Sequence, residues 1–164
     1  MASSAQRMGS CESHDTSSRG ALRVGIDLVQ LSRIRESLAT FGDRFLRRIF
    51  TEGEIAYATA EPALTPSRLA ARLAAKEATV KALDLVERGV GWREIEVTRG
   101  PSGAPEIVLH GNARAAAEEG GAPALSVSLS HEGDYATAVV ISLRARSGRS
   151  RARPLTRRTT RKKP

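Results

Sequence analysis

Three charged side chains sit close together in the alanine-rich stretch "RLAARLAAKEATVKAL", residues 68–83: Lys76, Glu77 and Lys81. At about 100° per residue on a helix, Leu69, Leu73, Val80 and Leu83 share one stripe. Glu77 and Lys81 flank that stripe and Lys76 falls almost inside it. Two chemistries fit this spacing. Glu77 and Lys81 can form an i,i+4 pair worth only about 0.2–0.5 kcal/mol while Lys76 snorkels. Alternatively, the alanines clear space for a bulky anionic ligand, Glu77 holds a metal and the lysines meet phosphates. Asp27 favours the second, because carboxylates from a strand end and a helix flank suit magnesium, which takes oxygen ligands and often substrate phosphates. His131, in "SLSHE", is a further polar residue at the end of another strand.

These residues need elements to position them. Leu22, Val24 and Ile26 alternate with Arg23, Gly25 and Asp27, which predicts a strand. From about Val29 the period turns helical, with Leu31, Ile34 and Leu38 on one side, so Asp27 is expected at a strand-to-helix junction, as a cap or a ligand. "FGDRFLRRIF" predicts a short helix, and "TEGE" (Thr51 to Glu54) has capping-box spacing for the next. Thr65 as N-cap and Pro66 at the first helical position predict a long helix to about Val86. Strands are expected at 94–98 and 106–110, a short helix over "GNARAAAEEGG", and a hairpin over "ALSVSLSHEGDYATAVVISL" with "HEGD" near its bend. This order predicts an α+β domain over residues 21–143.

Ten of the 26 Lys and Arg residues fall in residues 144–164, which carry no acid; the rest of the chain then has sixteen bases against eighteen acids. The basicity belongs to a tail, expected to be disordered and able to touch nucleic acid non-specifically. A small nucleic-acid-binding protein is therefore one alternative function, opposed by the slightly acidic domain and an aromatic content of only 4%. Residues 1–20 are polar and read as a disordered leader, with Met8 as another initiator. A single cysteine, Cys11, agrees with a reducing cytosol, and no apolar run approaches a membrane span, so a cytoplasmic location without membrane contact is expected.

"VGIDLVQLSRI", "RFLRRIFTEGE", "RLAARLAAKEATVKAL" and "SLSHEGDYATAVV", in that order, resemble the segments of the holo-acyl-carrier-protein synthases, small 4′-phosphopantetheinyl transferases. The resemblance spans roughly residues 23–143. It implies one small domain with a long helix packed on an antiparallel sheet, and magnesium-dependent transfer of 4′-phosphopantetheine from coenzyme A to a serine of an apo-acyl-carrier protein, releasing adenosine 3′,5′-bisphosphate. It further implies that Asp27 and Glu77 hold magnesium, that Lys81 lies near the phosphates and reacting centre, and that Arg72 and His131 contact coenzyme A phosphates. Arg33 would face the carrier, with Arg44, Arg47 and Arg48 as looser candidates. Gly89 and Gly91 would supply flexible backbone in the loop after the helix. The base is left open between a water at the metal, Glu77 and His131, with Glu77 preferred. Trimers with sites between subunits are common in such proteins. Gln30 stands where an acid is usual and Asp84 where phosphates are expected, which keeps an inactive relative as a further alternative.

Overall fold

In a computed structural model describing residues 22–121 and 123–143, the first strand, β1 (Leu22–Gln30), runs straight into helix α1 (Leu31–Phe41). Two short helices follow, α2 (Asp43–Ile49) and α3 (Glu52–Thr59), then the long helix α4 (Thr65–Leu83). A 3₁₀ turn (Trp92–Glu94) leads to β2 (Ile95–Arg99) and β3 (Pro105–Leu109), helix α5 (Gly111–Glu119), and the hairpin β4 (Ala124–Glu132) and β5 (Tyr135–Leu143). One antiparallel sheet has the order β1-β5-β4; β2 and β3 form a separate antiparallel pair. The expected α+β class and the long helix on an antiparallel sheet are both present. The leader and the basic tail lie outside the described residues, as does Cys11. Among the described residues no helix is long and apolar enough to cross a membrane.

Local chemistry explains most boundaries. Thr51 and Glu54 form the expected capping box of α3: the Glu54 amide donates to Thr51 Oγ1 (3.2 Å) and the Thr51 amide to Glu54 Oε2 (2.9 Å). The helical reading from Val29 is corrected. Backbone pairing with β5 continues to Gln30 opposite Tyr135, which keeps the chain extended. Asp27 therefore lies inside the strand, opposite Ala138, and caps nothing. That task falls to Asp134 in the hairpin turn, which accepts from the Ser32 amide (3.0 Å) and hydroxyl (2.6 Å). Helix α4 starts with Leu64, not Thr65, as N-cap, while the Thr65 hydroxyl donates back to the Ala58 carbonyl at 3.1 Å. It ends at Leu83 rather than Val86, because Asp84 adopts a left-handed conformation (φ 58°, ψ 55°) that stops the helix.

Most alanines of α4 do not clear room for a ligand, contrary to the sequence expectation, although Ala71 borders a cleft together with Arg72 and His131. Ala74, Ala75, Ala78 and Ala82 are buried in one cluster with Val97, Ala138 and Val140. They make room for the sheet. Gly25 faces this helix so closely that an added Cβ would lie 1.9 Å from the Ala78 carbonyl oxygen. Because that atom is backbone, the helix itself would have to move. We expect Gly25→Ala to destabilise the fold by about 3 kcal/mol, as overpacking against rigid atoms does, measured as a lowered denaturant midpoint; an unchanged midpoint would show that the contact is soft.

Strand alternation places the apolar residues of β1 on the opposite face. Leu22, Val24, Ile26 and Leu28 are about 60% exposed, alongside the exposed Ile141 and Leu143 of β5. Arg23, Gly25, Asp27 and Val29 occupy the more buried, helix-facing side.

Candidate active site

The close packing of α4 on β1 brings Asp27, Glu77 and Lys81 together. Lys81 Nζ donates to Asp27 Oδ1 at 2.8 Å and to the Ile26 carbonyl at 2.9 Å. No ion pair joins Glu77 to Lys81 among the described residues, so the i,i+4 pair is corrected: the strand offers the lysine a better partner. Asp27 and Glu77 border one cleft of about 550 Å³, together with Gln30, Arg33, Phe45 and Tyr135. Burial, and then the neighbouring negative charge of Asp27, push the Glu77 carboxyl above its ordinary value, against the pull of Lys81. Two converging carboxylates of this kind are an oxygen donor set that fits a hard divalent cation. Among the described residues no group of three His, Cys, Asp or Glu side chains could hold a metal ion, so further ligands would come from water or phosphate.

The raised carboxyl has a measurable sign. A folded-state value above the unfolded one means that ionised Glu77 opposes folding once the pH exceeds both. Glu77→Gln is therefore expected to raise metal-free stability at neutral pH by about 0.5 kcal/mol or less, given solvent screening. That advantage should vanish as the pH falls through the raised value. Thermal melts across pH read the effect, and a variant less stable at neutral pH would contradict it.

Lys76 neither snorkels nor meets phosphate. It is fully buried, paired with the equally buried Glu54 at 2.8 Å, and donates to the Trp92 carbonyl at 2.9 Å and to that of Ile95. Burial pulls its ammonium below the ordinary lysine value, opposed by Glu54.

Arg72 and His131 border a different cleft, of about 470 Å³, with Tyr57, Arg68, Arg99 and Ser130. Arg72 is only 5% exposed; its guanidinium lies 4.1 Å from the Tyr57 ring centre and donates to the Arg68 carbonyl at 3.2 Å. Its Nε is buried without a hydrogen-bond partner among the described residues. Arg68 and Arg99 approach the same ring at 4.7 and 5.0 Å. This concentration of cations escaped sequence reading. Arg68, one turn before Arg72, was within reach of a helical-spacing argument; Arg99 arrives from another element and was not.

One chain thus separates Arg72 and His131 from Asp27 and Glu77, which border different clefts, with Lys81 held on Asp27. Gly91 borders a cavity of about 260 Å³ with Glu77, Val80 and Trp92, whereas Gly89, at φ 65°, does not line it. Arg33 joins the Asp27–Glu77 cleft. Arg44 and Arg48 are exposed on α2, and Arg47 pairs with Asp43 at 3.7 Å.

A long helix packed on an antiparallel sheet is the fold of a known class. The description of the 4′-phosphopantetheinyl transferase superfamily matches residues 23–140, and the chain belongs to that family. It is 48% identical over 118 residues to a holo-[acyl-carrier-protein] synthase of Gloeobacter violaceus, covering 72% of this chain and 89% of that protein. It is 46% identical over 121 residues to one of Koribacter versatilis, covering 73% and 96%. Among solved structures it is similar to the Chronobacterium ammoniagenes ACPS-CoA complex (TM-score 0.68, 34% identity, 77% of this chain and 99% of that one). It is also similar to the Helicobacter pylori holo-[acyl-carrier-protein] synthase in complex with coenzyme A (TM-score 0.62, 30% identity, 73% and 98%).

Proposed function

We propose that this protein transfers 4′-phosphopantetheine from coenzyme A to a serine of an apo-acyl-carrier protein, with magnesium held by Asp27 and Glu77. The observation that carries this reading is the convergence of those two carboxylates in one cleft, within a fold of this family. Magnesium bound there would neutralise charge on the coenzyme A pyrophosphate. Lys81, already anchored on Asp27 at 2.8 Å, adds a positive point charge beside that carboxylate. Arg33 on its rim meets acidic groups of the carrier, with Arg44 and Arg48 extending the charge along α2. The carrier serine oxygen bonds to the β-phosphorus while the bond to the departing bisphosphate oxygen breaks, and the serine proton passes to Glu77. Glu77 borders the same cleft as Asp27 and is the side chain placed to take it. Positioning and charge neutralisation supply most of the acceleration in phosphoryl transfer.

Arg72 and His131 receive the phosphates at the other end of coenzyme A. The orphaned Arg72 Nε and the surrounding arginines support an anion site there. Since one chain sets this site in a separate cleft from Glu77, we place the complete centre between subunits, in a homotrimer joined through the exposed apolar face of β1 and β5. Exposed patches of this kind mark association surfaces. A nucleic-acid role finds no support in the domain itself.

The decisive experiment incubates the protein with apo-carrier, magnesium and coenzyme A and weighs the carrier. Gain of one phosphopantetheine is expected, and no gain across a panel of apo-carriers would overturn the reading. The same assay tests the shared centre. Arg72→Gln and Glu77→Ala should each be nearly inactive alone, and refolding them together should restore a fraction of activity. No restoration would place both residues in one subunit's site.

A further inference from the structure

We propose that the buried Lys76–Glu54 pair is a positioning device that fixes the rotation of α4 so that Glu77 meets Asp27; this rests on the transferase reading above. The lysine ammonium has three protons and three acceptors, from three separate places: Glu54 Oε2 of α3, the Trp92 carbonyl of the 3₁₀ turn, and the Ile95 carbonyl of β2. Glu54 is equally committed. Its Oε2 also accepts from the Thr51 amide at 2.9 Å, and its Oε1 accepts from the Val97 amide at 3.0 Å. A charge so fully satisfied cannot rotate without leaving a buried partner bare.

The adjacent position carries the consequence. Successive side chains on a helix point about 100° apart, so anchoring Lys76 in the core sets the direction of Glu77. Trp92 and Ile95, whose carbonyls hold the ammonium, also line the small cavity that Glu77 borders, so one cation registers both walls of it. Stability alone does not explain the pair, because apolar residues of similar volume often serve a core as well or better than a buried ion pair. What Lys76 and Glu54 supply is direction.

The test is the double variant Glu54→Gln/Lys76→Met, which removes both charges. Two readings are taken: Mn2+ affinity without coenzyme A, by electron paramagnetic resonance, and steady-state kinetics of carrier modification. Loss of a residue that orients a metal ligand is expected to weaken Mn2+ binding by about tenfold or more. The kcat should fall by about a hundredfold, as small misplacements of reacting groups do, with the KM for carrier nearly unchanged. Ala117→Gly in α5, which weakens the core elsewhere, should move neither reading. A folded double variant with wild-type Mn2+ affinity and kcat would overturn the proposal. If the double variant does not fold, Lys76→Arg, which keeps the charge but displaces its donors, should show the same losses, and wild-type values there would overturn it equally. Wild-type protein that transfers without binding Mn2+ would refute the metal site instead, leaving the kcat comparison to decide the role of the pair.

Discussion

Asp27→Ala is expected to lower kcat/KM for carrier modification by up to about a thousandfold, the upper range for removing one preorganised electrostatic group, while leaving the fold intact. Both halves of this expectation come from where Asp27 stands. Its backbone is secured by β5, whose Thr137 hydroxyl donates to the Asp27 carbonyl at 2.8 Å, and none of that depends on the carboxylate. Among the described residues its one ion-pair partner is Lys81, itself half exposed, and a pair open to solvent on one side contributes about 1 kcal/mol. Glu77→Ala should behave alike, since its carboxyl extends into the same cleft and its helix is held by neighbouring alanines. Circular dichroism and melting temperature check the fold, and mass spectrometry of the carrier checks the chemistry. Full activity in either variant would mean that the metal site has been misassigned.

Lys76→Met carries the largest expected effect on stability. It removes one member of a fully buried ion pair and leaves Glu54 charged in the core. Breaking such a pair from one side costs about 3–5 kcal/mol, a large fraction of the roughly 5–15 kcal/mol that holds a domain folded. Neutralising both partners should cost less than neutralising the lysine alone, because the bare charge, more than the lost attraction, is what destabilises. Urea denaturation of the single and double variants measures the difference. A Lys76→Met protein as stable as wild type would show that Glu54 finds another partner or a proton with little penalty.

Local signals in the sequence were reliable where the deciding atoms are close along the chain. The capping box of Thr51 and Glu54, the hairpin around Gly133 and Asp134, and the strands near 95–99 and 105–109 all depend on contacts within a few residues or on simple alternation. That Asp27 and Glu77 share one cleft was expected from a strand end and a helix flank and from the family resemblance, while their role remains the proposal made above. What stayed hidden depended on distant partners. Lys76 read as a solvent-seeking side chain because its acceptor, Glu54, lies 22 positions earlier and was already explained by its cap. Alternation along β1 revealed two unlike faces without revealing which one the chain covers, and the polar-looking side proved to be the one against the helix. Asp27 was expected at a helix start because Val29 and Leu31 fit a helical period, whereas pairing with β5 overrode that preference through Gln30.

Where Gly25 meets Ala78, the chain leaves no space for even one methyl group. Sequence drift is therefore unequal across this molecule. Exposed positions away from the clefts and from the apolar face of β1 and β5 can vary with little penalty, but the line of contact between first strand and long helix admits almost no larger residue, since thickening it would push apart the two acids that this contact keeps together. The smallest side chains in the protein thus set the bite of its largest chemical tool.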